Sequence, residues 1–204
     1  MNKEIAALEP QAIWRNFAAL NAVPRPSKKE EKVQAFMIDF IERLGLDYEQ
    51  DKAGNIVTRK PASSGLENRP MVTLQAHLDM VCQKNDDVDF DFESEGIRMK
   101  INGDWVTAEG TTLGADNGIG VATVMAALQS KELEHPPLEA LFTADEEAGM
   151  TGAHNLQPGF LQGKILMNLD TEDDDELSIG CAGGIDNDIS WTYEETAVPE
   201  AYKA

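Results

Sequence analysis

The sequence has few cysteines and no long apolar run, and each shortage excludes a class of protein. The two cysteines, Cys82 and Cys181, form no CxxC pair, so we expect no disulfide framework and a reducing, intracellular setting. No run approaches the ~18 apolar residues that a membrane span needs, and acidic residues occur too early for a secretory signal. We therefore expect a cytoplasmic protein.

Basic residues are also scarce. Lysine and arginine total 17 against 37 aspartates and glutamates, which gives a formal net charge of −20 over 204 residues. This charge argues against nucleic acid or an anionic membrane as a partner, because phosphate binding needs clustered basic side chains. It fits either a solvated acidic surface or carboxylates that are gathered to hold cations.

Hydrophobic periodicity predicts alternating helices and strands. The clearest helix carries one apolar stripe over 33–44 and ends at Gly45, and Ser27 with Glu30 predicts a capping box at its start. Other predicted elements are helices over 11–22 and 116–129, strands over 46–49, 55–59, 71–76, 138–143, 164–169 and 176–180, a hairpin over 97–107, and a short helical stretch before the strand at 164–169. This alternation predicts a layered α/β domain. From residue 187 onward an alternating, strand-like pattern begins.

Polar residues that can bind metal follow these strands directly. In an open α/β sheet, sites form beyond the carboxyl ends of the strands, so we expect these side chains to converge on one crevice. They are His77 and Asp79 after the strand at 71–76, Glu146 and Glu147 after 138–143, Asp170 after 164–169, and Asp116 at the start of the buried helix. Adjacent acidic residues are frequent by chance in so acidic a chain, so their position carries the argument.

The chemistry that such a set fits is a two-metal hydrolase. Two divalent ions about 3.7 Å apart repel by about 18 kcal/mol at an effective dielectric constant of about 20, so several carboxylates are needed, one of them between the ions. Asp116 suits the bridging position because a helix N-terminus keeps a carboxylate ionised. His77 would be a nitrogen ligand whose tautomer Asp79 fixes, and this mixed donor set favours zinc, with manganese or cobalt as alternatives. An unligated carboxylate would take the proton of an activated water, and the residues alone do not decide between Glu146 and Glu147.

Four segments together resemble a known family. They are His77–Asn85 (HLDMVCQKN), Gly110–Gly120 (GTTLGADNGIG), Asp145–Gly152 (DEEAGMTG) and Gly180–Asp186 (GCAGGID). In this order they resemble the aminoacyl-histidine (Xaa-His, or cytosol non-specific) dipeptidases, which are di-zinc metallopeptidases related to peptidase T. The resemblance implies a layered α/β/α catalytic domain with a mixed central sheet, and hydrolysis of dipeptides that include Xaa-His.

The resemblance also assigns roles to individual residues. Asp116 would bridge two zinc ions, His77 and Asp170 would bind one of them, and Glu147 would bind the other. Glu146 would be the general base and later the proton donor, and Asp79 the supporting acid behind His77. The division of roles between Glu146 and Glu147 comes from the family alone.

Members of this family are longer than this chain. The resemblance implies that residues 1–186 are the N-terminal part of the catalytic domain and that 187–204 begin a lid and dimerisation domain, so the full-length protein would be a homodimer acting on small peptides. A further histidine ligand would lie beyond this chain, and we expect the chain alone to be inactive. Two alternatives stay open: a related di-zinc hydrolase of tripeptides or N-acyl amino acids, and a catalytically silent metal-binding fragment.

Overall fold

The computed structural model describes residues 3–171, 175–180, 183, 185, 187–199 and 202. The chain divides into two compact units, Met1–Glu172 and Asp173–Ala204. The named helices and strands of the described residues all lie in the first unit. None of the helices in the described part of the chain is long and apolar enough to cross a bilayer.

Five of the seven strands in the described residues form one mixed sheet. The strands are β1 Tyr48–Gln50, β2 Ile56–Lys60, β3 Val72–His77, β4 Met99–Asn102, β5 Trp105–Ala108, β6 Leu138–Thr143 and β7 Ile165–Asn168. The spatial order is β1-β2-β6-β3-β7, and β4 and β5 form a separate antiparallel hairpin. The β1–β2 and β2–β6 pairs are antiparallel, whereas β3 is parallel to both β6 and β7. The α/β class that the periodicity predicts and the mixed sheet that the resemblance implies are therefore confirmed.

The core lies between this sheet and the longer helices. The helices are α1 Gln11–Leu20, α2 Glu31–Arg43, α3 Ala115–Gln129 and the single turn α4 Thr151–His154, with a short 3₁₀ helix over Ile5–Ala7. Apolar side chains of α2 and α3 pack in one buried cluster with those of β2, β3 and β6. The central strand β6 is buried along its whole length, as its near-continuous apolar run predicts.

The predicted capping box at the start of α2 is wrong. The helix begins at Glu31, and the residue before it, Glu30, makes no side-chain capping bond. Ser27 instead donates to the Asp79 carboxylate, and Glu30 accepts the Asp145 N–H. These tertiary contacts replace the local cap.

Two further predicted elements do not form. Residues 176–180, all of them described, contain no strand, and neither do the described residues 187–199. Their apolar side chains are highly exposed, among them Ile179, Trp191 and Tyr193. An alternating pattern makes a strand only where a neighbouring strand pairs with it, so the pattern alone is insufficient here. The predicted boundary between residues 186 and 187 stays a prediction, and Cys181 and Asp186 lie outside the described residues.

Candidate metal centre

The candidate site lies at one edge of the sheet, where β3, β6 and β7 end. Because these three strands run parallel, their carboxyl ends meet at the same edge. His77 is the last residue of β3, and Asp170 follows β7 by two residues. The start of α3 also reaches this edge, and there Asp116 has non-helical backbone angles (φ −78°, ψ 117°).

His77 is buried between two carboxylates. Its Nδ1 lies 3.1 Å from the backbone oxygen of Asp79 and 3.3 Å from Oδ1 of the same residue. Asp79 is thus placed to accept an Nδ1 proton, which leaves Nε2 of the neutral ring as a ligand atom. Nε2 lies 3.0 Å from Oδ1 of Asp116.

Neighbouring charges and hydrogen bonds shift the pKa values of His77 and Asp79 in opposite directions. Burial lowers the pKa of His77, but the hydrogen bond and charge of Asp79, together with the charge of Asp170, outweigh burial and raise the pKa to about 9. Burial raises the pKa of Asp79, but hydrogen bonds from His77 and from the Glu146 N–H lower it to about 2. In the metal-free chain at neutral pH, the pair is therefore an imidazolium and a carboxylate.

One nitrogen and two oxygens converge in front of β3. Nε2 of His77 lies 3.0 Å from Asp116 Oδ1 and 3.6 Å from Asp170 Oδ2, and the three donor atoms are all within 4.8 Å of one another. Donors at 2.0–2.2 Å from a tetrahedral ion are about 3.4 Å apart, so the spacing fits one divalent cation. The mixed nitrogen and oxygen set is of the kind that zinc accepts.

The turn after β6 presents Glu146 and Glu147 to the same edge. The Asp79 carboxylate holds this turn, since Oδ1 accepts the Glu146 N–H at 3.0 Å and Oδ2 accepts the Glu147 N–H at 3.1 Å. Glu146 Oε2 lies 3.9 Å from Nε2 of His77. Glu147 is outside the group of three converging donors, but its backbone is fixed by the same carboxylate.

Carboxylates crowd this edge, and the crowding shifts their pKa values. Burial raises the pKa of Glu147, and the charge of Asp116 raises it further. Burial also raises the pKa of Asp170; His77 opposes this shift, while Asp116 and Glu146 add to it. A divalent cation among these groups would offset the repulsion, which is the second reason that the residues fit a metal.

A layer of residues behind the site was not predicted from the sequence. Ser27 donates to Asp79 Oδ2 at 2.7 Å, and Glu30 Oε1 accepts the Asp145 N–H at 2.8 Å. Arg25 donates to the backbone oxygens of Leu78 and Asp79 at 3.1 and 2.9 Å. The segment 25–30 thus supports the turns that carry the candidate ligands. Its only local signal was the spacing of Ser27 and Glu30, which is the same as in a capping box.

Three buried carboxylates form a second group. Oxygens of Glu30, Asp79 and Asp145 also lie within 4.8 Å of one another. Most of their hydrogen bonds connect turns of the chain: Asp145 Oδ2 accepts from the Thr151 hydroxyl, and Asp79 accepts from Ser27 and two backbone N–H groups. Burial raises the pKa of Glu30. This group connects the segment before α2 to the turn after β6.

A buried histidine and clustered carboxylates at a parallel sheet edge form a site that can hold a divalent cation, which is the kind of site that metallopeptidases use. The sequence profile of peptidase family M20/M25/M40 matches residues 73–200. The chain belongs to this family.

Within this family, the chain is similar to dipeptidases. The chain is 47% identical over 200 residues to the cytosol non-specific dipeptidase of Escherichia coli K12. This alignment covers 98% of this chain and 41% of the relative. The crystal structure of aminoacylhistidine dipeptidase from Vibrio alginolyticus matches with 49% identity and a TM-score of 0.83, covering 85% of this chain and 35% of that one. A tripeptidase from Staphylococcus aureus shares the fold, with 22% identity, a TM-score of 0.69 and coverage of 82% and 45%. The chain thus spans less than half the length of these relatives.

Proposed function

We propose that this chain carries the metal-binding part of a dipeptidase active site, with substrates that include Xaa-His dipeptides. The observation that carries the proposal is the convergence of His77, Asp116 and Asp170 beside Glu146 at the carboxyl edge of the sheet. The names of the E. coli and Vibrio relatives supply the substrate class. The name of the E. coli relative also supports a cytosolic location.

His77, Asp170 and Asp116 would hold one zinc ion, and Asp116 and Glu147 would hold a second. When bound, the ions polarise the scissile carbonyl and lower the pKa of water toward about 7. Asp79 orients His77 through Nδ1 and fixes the backbone of both glutamates, so the same carboxylate positions a ligand and the base. The convergence of His77, Asp116 and Asp170 supports the first of these ions, the family resemblance suggests the second, and the mixed donor chemistry favours zinc.

Glu146 would act as the general base. Its carboxylate lies 3.9 Å from Nε2 of His77, close enough to reach a water at the converging donors. It would accept the proton of the attacking water and then donate it to the departing amine. Glu147 is assigned to the second cation instead, and this division of roles between the two glutamates rests on the family resemblance.

A second candidate function is a catalytically silent metal-binding fragment. The geometry favours it, because Glu147 is not among the converging donors of His77, Asp116 and Asp170, so a second ion has few ligands in the described residues. A tripeptide substrate has no comparable support, since the similarity to the tripeptidase is one of fold alone.

A chimeric enzyme tests the proposal. In it, this chain replaces the matched 200-residue part of the E. coli dipeptidase. We expect the zinc-loaded chimera to hydrolyse Xaa-His dipeptides and a chelator to abolish the activity reversibly. A chimera that folds and binds zinc but hydrolyses no dipeptide would favour the silent-fragment alternative. A folded chimera that is active after full metal removal would contradict the proposed mechanism.

A further inference from the structure

Arg25 is fully buried. It contacts the segment that carries His77 and the segment that carries Asp116. Nη1 donates to the backbone oxygens of Leu78 and Asp79, in the turn that directly follows His77. Nη2 donates to the backbone oxygen of Gly114, two residues before Asp116. One side chain therefore joins the end of β3 to the start of α3.

The sequence of α3 leaves space for this guanidinium. A Cβ at Gly118 would lie 2.7 Å from Nη2, and a Cβ at Gly114 would also overlap it. Gly114 has φ +69°, which favours glycine in addition. Asn21 further fixes the group, because its Oδ1 accepts from Nη2 at 3.2 Å. The guanidinium thus occupies a site that is shaped on two sides.

Burying a charged side chain costs free energy unless hydrogen bonds and opposite charges compensate the lost hydration. Burial lowers the pKa of Arg25 to about 10, while the charges of Asp79, Asp116 and Glu147 oppose this shift, so the group stays protonated at neutral pH. Two of the candidate ligands, Asp116 and Glu147, therefore help to stabilise its positive charge. A planar donor fork can reach several carbonyl oxygens at fixed angles, which a lysine ammonium cannot reproduce.

We propose that Arg25 is a positioning residue that holds His77 and Asp116 at the spacing a shared metal ion needs. The inference rests on the proposed function, since it assumes that these two residues are ligands. Outer groups that orient ligands typically change metal affinity about 10–100-fold when they are replaced. Arg25 would act in this way through backbone carbonyls on both sides.

The first test needs no metal. Amide hydrogen exchange is compared between the unsubstituted chain, Arg25→Lys and the control Arg59→Lys. Arg59 is a suitable control because it also joins a backbone oxygen, that of Phe160, to carboxylates, but it contacts none of the candidate ligands. The reporting amides are those of Leu78, Met80 and Gly118, which lie in the two joined segments and donate to the backbone oxygens of Thr143, Arg25 and Gly114 respectively.

We expect Arg25→Lys to accelerate exchange at these three amides by roughly 10-fold or more, with little change in β2 and β6. Arg59→Lys should leave the three amides unchanged. Uniform acceleration over the whole sheet in Arg25→Lys would show a general structural role and overturn the inference. If Arg25→Lys does not fold, Gly118→Ala displaces the same guanidinium from the helix side, and the same expectation applies to Leu78 and Met80.

Zinc titration by calorimetry then tests the consequence. Loss of geometry predicts that Arg25→Lys weakens zinc binding by about 10-fold or more, whereas a purely electrostatic role predicts no change, because the charge is kept. Unchanged affinity in Arg25→Lys would overturn the inference. If the unsubstituted chain itself binds no zinc, the proposed metal site fails in this chain, and hydrogen exchange still decides whether Arg25 holds the two segments together.

Discussion

Asp79 shows how one buried side chain can serve two functional groups at once. Its carboxylate contacts Nδ1 of His77 and also accepts the N–H groups of Glu146 and Glu147. Sequence spacing predicted the first contact, because Asp79 is two residues from His77. The second contact joins positions 67 and 68 residues apart and could not be read from spacing.

At the residue scale, Glu146→Gln in the chimeric enzyme separates binding from catalysis. The amide keeps the shape of the side chain but cannot accept a proton from water. We expect zinc affinity close to that of the unsubstituted chimera and turnover reduced by about 10²–10⁴-fold. Zinc content by elemental analysis and dipeptide hydrolysis are measured on the same sample. Loss of zinc would reassign Glu146 as a ligand, and near-normal turnover would show that it is not the base.

His77 makes metal binding depend on pH. With a pKa of about 9 in the metal-free chain, His77 is protonated at pH 7, and it must lose this proton to become a ligand. Raising the pH toward 9 removes the competing proton, so zinc affinity should increase with pH and level off above that value. At pH 7 we expect release of about one proton per zinc, measured by calorimetry in buffers of different ionisation enthalpy.

The Asp79→Asn variant is the control for this proton release. It removes the carboxylate whose hydrogen bond and charge raise the pKa of His77. The number of protons released at pH 7 should therefore fall. Equal release in both proteins, or none in the unsubstituted chain, would show that His77 is not the group that loses the proton.

At the scale of elements, Glu139 holds the sheet to the segment before β7. Its fully buried carboxylate on β6 accepts from the Thr73 hydroxyl, from Arg59, and from the N–H groups of Gln162 and Gly163. These contacts join β2, β6, β3 and the start of the chain leading to Asp170. Burial raises the pKa of Glu139, but the hydrogen bonds, from Gly163 and Thr73 foremost, outweigh it and lower the pKa.

Replacing Glu139 with alanine should therefore destabilise the fold. The substitution leaves a hydroxyl and two backbone N–H groups without their acceptor, so we expect the free energy of unfolding to fall by about 3–5 kcal/mol in urea titrations. Glu49→Ala is the matched control, because Glu49 contacts the same Arg59 from an exposed position and should cost at most about 1 kcal/mol. Equal effects of the two substitutions would contradict this account of the sheet.

The elements that the sequence predicted well are those whose signal is local. The stripe on α2 and the apolar run of β6 needed no partner to be recognised. The strands predicted at 176–180 and from 187 onward did not form, because the alternating pattern there has no neighbouring strand to pair with in the described residues. The capping box predicted from Ser27 and Glu30 was wrong for the opposite reason. Residues distant in sequence form the hydrogen bonds that a helix cap would have used.

At the scale of the whole molecule, the parallel strands explain why the site was predictable in outline. Polar residues after β3 and β7 must meet at one edge once the strands pair in parallel. The approach of Asp116 to His77 spans 39 positions and follows from the packing of α3 on the sheet. Arg25 was not predicted because three of its four acceptors are backbone oxygens, which leave no trace in residue types.

The length of the chain relative to its relatives leads to a prediction about the chain alone. One ion would find His77, Asp170 and Asp116, whereas a second would have Glu147 and a shared Asp116. We expect the chain to bind one zinc more tightly than a second and to show no dipeptide turnover, while the chimera is active. Losing a ligand should cost at least the 10–100-fold in affinity that outer groups cost. Two equally tight zinc sites with turnover in the chain alone would contradict this expectation.

The most direct measurement is anomalous diffraction at the zinc edge from crystals of the chain grown with zinc. The account predicts a peak about 2.0–2.2 Å from Nε2 of His77 and from carboxylate oxygens of Asp116 and Asp170. A peak only among Glu30, Asp79 and Asp145, the second group of carboxylates, would contradict it, as would a zinc-soaked crystal with no peak at His77.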